Sequence, residues 1–225
     1  MTTEECIQQV CSLVAEEGDP HLVMAPLATL PQGIPSEWRE IVGARDPIRS
    51  ALDVLWTPKR DLLPETVGEL ERRLRGIGLL STRQTPFSLV YLFENRGQPS
   101  FRRGYPRRLI EREESTRLPT DFLELYQIHD GWTDPYGFTG PLPSEEWFDL
   151  TYLFDEDLPD LISGLRLEDF LIVGISSGSE YLGFDISKEP ARGMVVSMIE
   201  PIELAPDVVR KLDEWMAVDL RYLAG

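Results

Sequence analysis

The sequence predicts an α+β fold: an antiparallel sheet of about four or more strands flanked by helices, with a mainly helical N-terminal extension. Three observations lead there. Hydrophobic residues recur at helical spacing between Glu4 and Ile77, three apolar runs separated by turn-forming residues lie between Phe170 and Ile199, and one amphipathic stretch closes the chain. With 225 residues, 42% of them hydrophobic, the chain can bury a sizeable core without a disulfide or a metal.

Ile7, Val10, Cys11 and Val14 form one face of a helix from Glu4 to Glu17, which Gly18-Asp19-Pro20 stops. Prolines at 20, 26, 31 and 35 make the next stretch an extended wrap or loop. Ser36 caps a helix beginning Glu37-Trp38-Arg39-Glu40, and Asp46-Pro47 breaks it before a second helix, Ile48 to Leu55. Pro64 opens another, with Val67, Leu70, Leu74 and Ile77 on one face. Leu79–Arg83 and Ser88–Glu94 read as a hairpin around Gln84-Thr85-Pro86. The Arg-, Gly- and Pro-bearing stretch from Phe101 to Arg108 then marks a boundary, dividing the chain into an extension, 1–105, and a second unit, 106–225.

In that unit Leu118-Pro119 opens a helix whose stripe is Phe122, Leu125, Tyr126 and His129, and Asp130-Gly131 ends it. Trp132 to Gly140 is turn-rich, Glu145–Phe154 suits a short strand or helix, and Leu158–Leu165 a short helical piece. Phe170–Val173, Tyr181–Ile186 and Gly193–Ile199 follow as an antiparallel meander, with turns at Ser176–Ser179 and Ser187–Pro190. Ala205-Pro206-Asp207 starts the last helix, with Val208, Val209, Leu212, Trp215, Met216, Leu220 and Leu223 on its apolar face.

The net charge is −17 and it is lopsided. Residues 1–112 hold 15 basic and 15 acidic side chains, whereas residues 113–225 hold 7 basic and 24 acidic. Such a surface repels phosphate backbones, arguing against nucleic acid as a partner of that half, and steers association with a basic protein. No apolar run approaches the ~18 residues of a membrane span. The opening Met1–Cys6 has no basic segment with an apolar core behind it, so the expected location is the cytoplasm.

Catalytic and metal signatures are weak. Cys6 and Cys11 sit five apart on a helix and point in different directions, and the two histidines, His21 and His129, have no Cys/His cluster around them. His129 beside Asp130 suggests half of a hydrolytic constellation, but neighbours on a helix point about 100° apart and do not face each other. No cofactor, metal or catalytic residue is expected, and no enzyme.

The acidic segment is the leading candidate for function. Glu145, Glu146, Asp149, Asp155, Glu156, Asp157 and Asp160 are interleaved with Trp147, Phe148, Tyr152 and Phe154. Aromatic anchors among like charges suit a protein interface; the competing reading packs the aromatics on the sheet and turns the charges to water. Upstream, Asp134 accompanies Trp132 and Tyr136, which fit either a core plug or a pocket rim. Arg102, Arg103, Arg107 and Arg108 form the one notable basic cluster, expected to pair with the acidic half.

Leu118-Pro119-Thr-Asp-Phe122-Leu-Glu-Leu-Tyr126-Gln-Ile-His-Asp130-Gly131, the strand Phe170–Val173, Leu182-Gly183-Phe184-Asp185 and the strand after Gly193 occur in the order of the SMI1/KNR4 (SUKH) superfamily. The chain resembles that family from about Ile110 to its C-terminus. The resemblance implies an immunity protein that neutralises a cognate bacterial polymorphic toxin by occlusion, as a monomer bound one-to-one. The expected partner is a basic, nucleic-acid-directed effector such as a nuclease. A regulatory adaptor of the same fold is the alternative. On this reading the contact residues are Trp132, Asp134, Tyr136, Glu145, Glu146, Trp147, Asp149, Asp155, Glu156, Asp157 and Asp160.

Overall fold

A computed structural model describes residues 2–108, 113–134, 140–153, 165–176, 180–197 and 203–223. The fold is α+β, with two antiparallel sheets. In chain order the elements are α1 (Thr3–Leu13), β1 (His21–Met24), α2 (Ser36–Gly43), α3 (Pro47–Ala51), α4 (Pro64–Arg73), β2 (Gly76–Ser81), β3 (Ser88–Asn95), β4 (Gln98–Tyr105), α5 (Thr120–Leu125) and β5 (Asp130–Thr133). They are followed by β6 (Gly140–Pro141), β7 (Phe148–Asp149), β8 (Phe170–Ile175), β9 (Glu180–Asp185), β10 (Arg192–Ser197), β11 (Glu203–Leu204) and α6 (Val208–Leu223). The first sheet runs β1-β2-β3-β4-β5, and the second β11-β10-β9-β8-β6, with β7 also on β8. No helix among the described residues is long and apolar enough to cross a membrane.

The first sheet is buried on both faces. Ile77, Leu79, Leu89, Tyr91 and Phe93 alternate onto the main core, while Leu80, Val90, Leu92 and Phe101 meet Cys6, Val10 and Val14 of the α1 segment on the other side. The main core runs continuously from Ile34 to Leu220, so the two stretches divided at 105/106 share one core, and β5 completes the sheet built by the first.

The meander β8-β9-β10 and the β2-β3 hairpin form as their patterns predict. Three stretches differ. The Pro-rich wrap contains β1, an edge strand paired with β2. The helix from Pro64 ends at Arg73; Leu74 turns extended and carries Ile77 into β2. The Arg-rich stretch expected as a boundary is strand β4 as far as Tyr105, paired with β3 on one side and β5 on the other. Asp46 caps α3 by accepting the Arg49 N–H at 3.0 Å, and the coil then widens to a π-helical turn at Leu52–Trp56. Ser36 is not the cap of α2; its hydroxyl bonds Glu37 instead.

α4 has no cap of its own, because Leu63 precedes it and Pro64 lacks an N–H. Asp213 of α6 supplies one: its carboxylate accepts the N–H of Glu65 at 3.0 Å and of Thr66 at 2.7 Å, and the Thr66 hydroxyl donates to the Asp213 carbonyl. Asp213 and Thr66 are both buried. Asp213→Ala leaves these donors unpaired and is expected to cost about 2–4 kcal/mol, with Asp213→Asn losing less because an acceptor remains. Urea unfolding reads this as a lower midpoint at unchanged slope; equal midpoints for native protein and Asp213→Ala would remove the capping role.

Candidate functional site

The predicted contact segment begins in a loop held from below. β6 and β7 both pair with β8, and the loop between them carries a short helical turn at Ser144–Glu146. The buried Asp130 carboxylate accepts the Ser144 N–H at 2.7 Å and its hydroxyl at 2.9 Å. The Trp147 indole donates to the Tyr126 hydroxyl at 3.0 Å, and that hydroxyl donates to the Leu142 carbonyl at 2.8 Å. Phe122, Tyr126, Trp147 and Phe184 pack edge-on or tilted around this anchor. With Trp147 turned inward, Glu145 and Glu146 face solvent.

Two expected contact residues are therefore core residues. Trp132 is 1% exposed and Trp147 4%, so neither offers area to a partner; both are large apolar bodies that the sheet and α5 cover. Tyr136, Asp155, Glu156, Asp157 and Asp160 lie outside the described residues, as does most of the helical piece expected at Leu158–Leu165.

The carboxylates that remain differ in what they have free. Glu145 pairs with Arg108. Asp149 accepts the Thr151 N–H at 2.9 Å, capping its own turn. Asp134 is half-buried near Asp219, whose pKa it helps to raise. Glu146, exposed at its outer side, has its pKa raised by partial desolvation; Arg103 opposes this, while Asp130 and Glu17 reinforce it. Beside them Phe148 rests half-buried against the core, and Tyr152 meets it edge-on at 5.3 Å with 80% of its own surface in water.

Each arginine of the basic cluster pairs with a carboxylate of the same chain, Arg102 and Arg103 in the interior and Arg107 and Arg108 at the surface. Adjacent residues on a strand point to opposite faces. Arg102 reaches Asp219 of α6, with 2.7 Å from its Nε, and Arg103 reaches Glu17 beyond α1 with two bonds of 2.9 and 2.6 Å. Arg107 pairs with Glu37 at 3.4 Å and Arg108 with Glu145. Two of these four pairs reach the acidic second half, as expected; the other two stay within the first.

His129 and Asp130 do not work together. His129 Nδ1 lies 2.6 Å from the Gly131 carbonyl, whereas Asp130 is taken by Ser144. The His129 ring lies flat on Gly104, where an added Cβ would stand 2.1 Å from Cγ. Arg103 pairs with Thr133 and Tyr105 with Asp130, so the one residue between them on β4, Gly104, opposes two on β5, Gly131 and Trp132; β5 bulges there, and the φ of Gly131 is +69°. Gly131 thus has the left-handed backbone expected of it, but in a strand bulge rather than at a helix end, since α5 stops at Leu125.

Among the described residues no group of three His, Cys, Asp or Glu is placed to hold a metal ion. Comparison of the chain with protein-family models, curated proteins and solved structures returned no match.

Proposed function

We propose that this protein is a binding protein of the immunity type, which captures and occludes a basic protein toxin through the acidic surface around Tyr152. The observation that carries the reading is the exposure of Tyr152 within the acidic segment. Tyr152 is 80% exposed and meets the half-buried Phe148 edge-on, so the two rings offer a small aromatic contact inside the acidic segment that a partner ring or aliphatic side chain could cover. Glu145, Glu146 and Asp149 precede it in the sequence, and Asp155, Glu156 and Asp157 follow.

The paired arginines support the same direction. With Arg102, Arg103, Arg107 and Arg108 each satisfied by a carboxylate of the same chain, the cluster has little free charge to hold a phosphate backbone, and the excess of acidic groups in residues 113–225 dominates the outer field. A basic nuclease would be drawn to that field and retained by a small aromatic contact. The resemblance to the SMI1/KNR4 superfamily points to the same role.

The test is protection. Cells making the chain survive a cognate toxin, and the purified pair forms a one-to-one complex whose association slows as salt rises. Tyr152→Ala is expected to weaken that complex about 30-fold, or ~2 kcal/mol, with stability unchanged within ~0.5 kcal/mol. Reversing Asp155, Glu156 and Asp157 to lysine should slow association more than it speeds release. Unaltered rates in both variants would remove this surface from the contact.

A further inference from the structure

The second face of the first sheet has a small core of its own. Cys6, Val10 and Val14 meet Leu22, Leu80, Val90, Leu92 and Phe101 there, and this cluster is separate from the main core across the sheet. α1 lies on β1 and β4, and its first turn is complete in itself. The Glu5 N–H donates to the Thr2 hydroxyl at 3.2 Å, and the Thr2 N–H donates to the Glu5 carboxylate at 2.6 Å. α4, by contrast, takes its cap from α6 and loses hydrogen bonds if the two part. α1 can lift from the sheet without that loss.

A clamp holds the chain just behind α1. The Glu17 carboxylate takes both bonds from Arg103 and accepts the Thr82 hydroxyl at 3.2 Å, while the Gly18 carbonyl accepts the Arg83 N–H at 2.7 Å. The Asp19–Arg83 ion pair is exposed on both sides and adds little. Gly18 and Asp19 then have φ of +77° and +46°, consecutive left-handed residues that turn the chain from α1 into β1. Arg103 stands two residues beyond Phe101 on β4 and so points to the same face. Lifting the segment returns Glu17 to water and opens Arg103 to it, which avoids the cost of one buried charge left alone.

We infer that residues 2–18 form a cover that opens as a unit, pivoting at Gly18-Asp19, while both sheets and the main core stay folded. Opening lays bare Leu80, Val90, Leu92 and Phe101 as one apolar face. It also takes from Arg103 a carboxylate partner. Glu17 and Glu146 both act electrostatically on Arg103, and Glu146 sits in the turn that begins the acidic segment. On the function proposed above, the cover therefore alters the field beside the contact surface; the opening itself does not depend on that function.

The chain carries two reporters for the test. Its two cysteines, Cys6 and Cys11, lie on α1, whereas its five tryptophans, Trp38, Trp56, Trp132, Trp147 and Trp215, belong to the main core or pack on it. In a Cys11→Ser protein, iodoacetamide reaches the buried Cys6 thiol only when the cover lifts. Across a urea series at constant pH, Cys6 is expected to react about 1,000-fold more slowly than a free thiol, yet at least about tenfold faster than tryptophan-monitored unfolding permits. At low urea its rate should also rise less steeply than unfolding does, because less surface is exposed. Adding Glu17→Gln should raise the Cys6 rate about tenfold in water. A Cys6 rate that tracks tryptophan unfolding at every urea concentration overturns the inference. So does reaction at the free-thiol rate, or a rate that Glu17→Gln leaves unchanged.

Discussion

Arg102→Ala is expected to destabilise the protein by about 3–5 kcal/mol, a large part of the ~5–15 kcal/mol that keeps a domain folded. Arg102 is 3% exposed, and its guanidinium grips the Asp219 carboxylate across 117 residues of sequence. Desolvation already raises the Asp219 pKa, with Arg102 pulling it back and Asp134 pushing it up. Without the arginine, a buried carboxylate is left beside another negative group. A carboxyl whose folded pKa is raised gains stability as pH falls, because the folded state then binds the proton more tightly. The Arg102→Ala deficit should therefore be greatest near neutral pH and shrink in acid. Replacing both partners with apolar residues of similar volume should recover most of it, since that also removes the desolvation cost. A double-mutant cycle in urea measures the coupling. Additive single losses would mean that the pair contributes nothing as a pair.

His129 should make the fold acid-sensitive in a defined window. Burial pushes its pKa down from 6.5 to about 4; the bond to the Gly131 carbonyl opposes this and Arg107 adds to it. Between those values the unfolded chain binds a proton that the folded chain refuses, so stability falls as pH drops from 6.5 towards 4 and levels off below it. The full loss is about 3 kcal/mol, at 1.36 kcal/mol per unit. Asp130 and Asp219, both raised chiefly by desolvation, work in the opposite direction as they protonate. The difference between native protein and His129→Gln isolates the histidine. That difference should change by about 3 kcal/mol between pH 7 and pH 4. If it stays constant with pH, His129 is not held neutral in the core.

Local chemistry was legible where it depends on neighbours in the chain. The meander from Phe170 to Ser197 could be read because apolar runs and turn residues alternate within a few positions. The terminal helix could be read because its apolar stripe recurs at 3.6 residues and Asp207 accepts the Arg210 N–H at its start. Elements whose partners are remote were misread. His21–Met24 is short and flanked by proline, and only β2, more than fifty residues on, makes it a strand. Phe101–Arg108 has the composition of a linker. Its arginines become tolerable in a sheet interior because Glu17 and Asp219 arrive from opposite faces. The candidate site divides in the same way. The acidic and aromatic character of residues 145–152 is written in the sequence, but which aromatics point outward depends on Tyr126 and Leu142 capturing Trp147 and leaving Tyr152 in water.

The sequence by itself determined the α+β class, the meander, the closing helix and the negative second half, since periodicity, turn residues and charge are properties of the chain. Only the tertiary structure decided that the two halves share one core, that four arginines are paired with carboxylates, and that the rings of Trp56, Tyr91, His129 and Trp132 pack together. Those outcomes rest on contacts between residues tens to more than a hundred positions apart, and no local pattern encodes which distant carboxylate or ring will arrive.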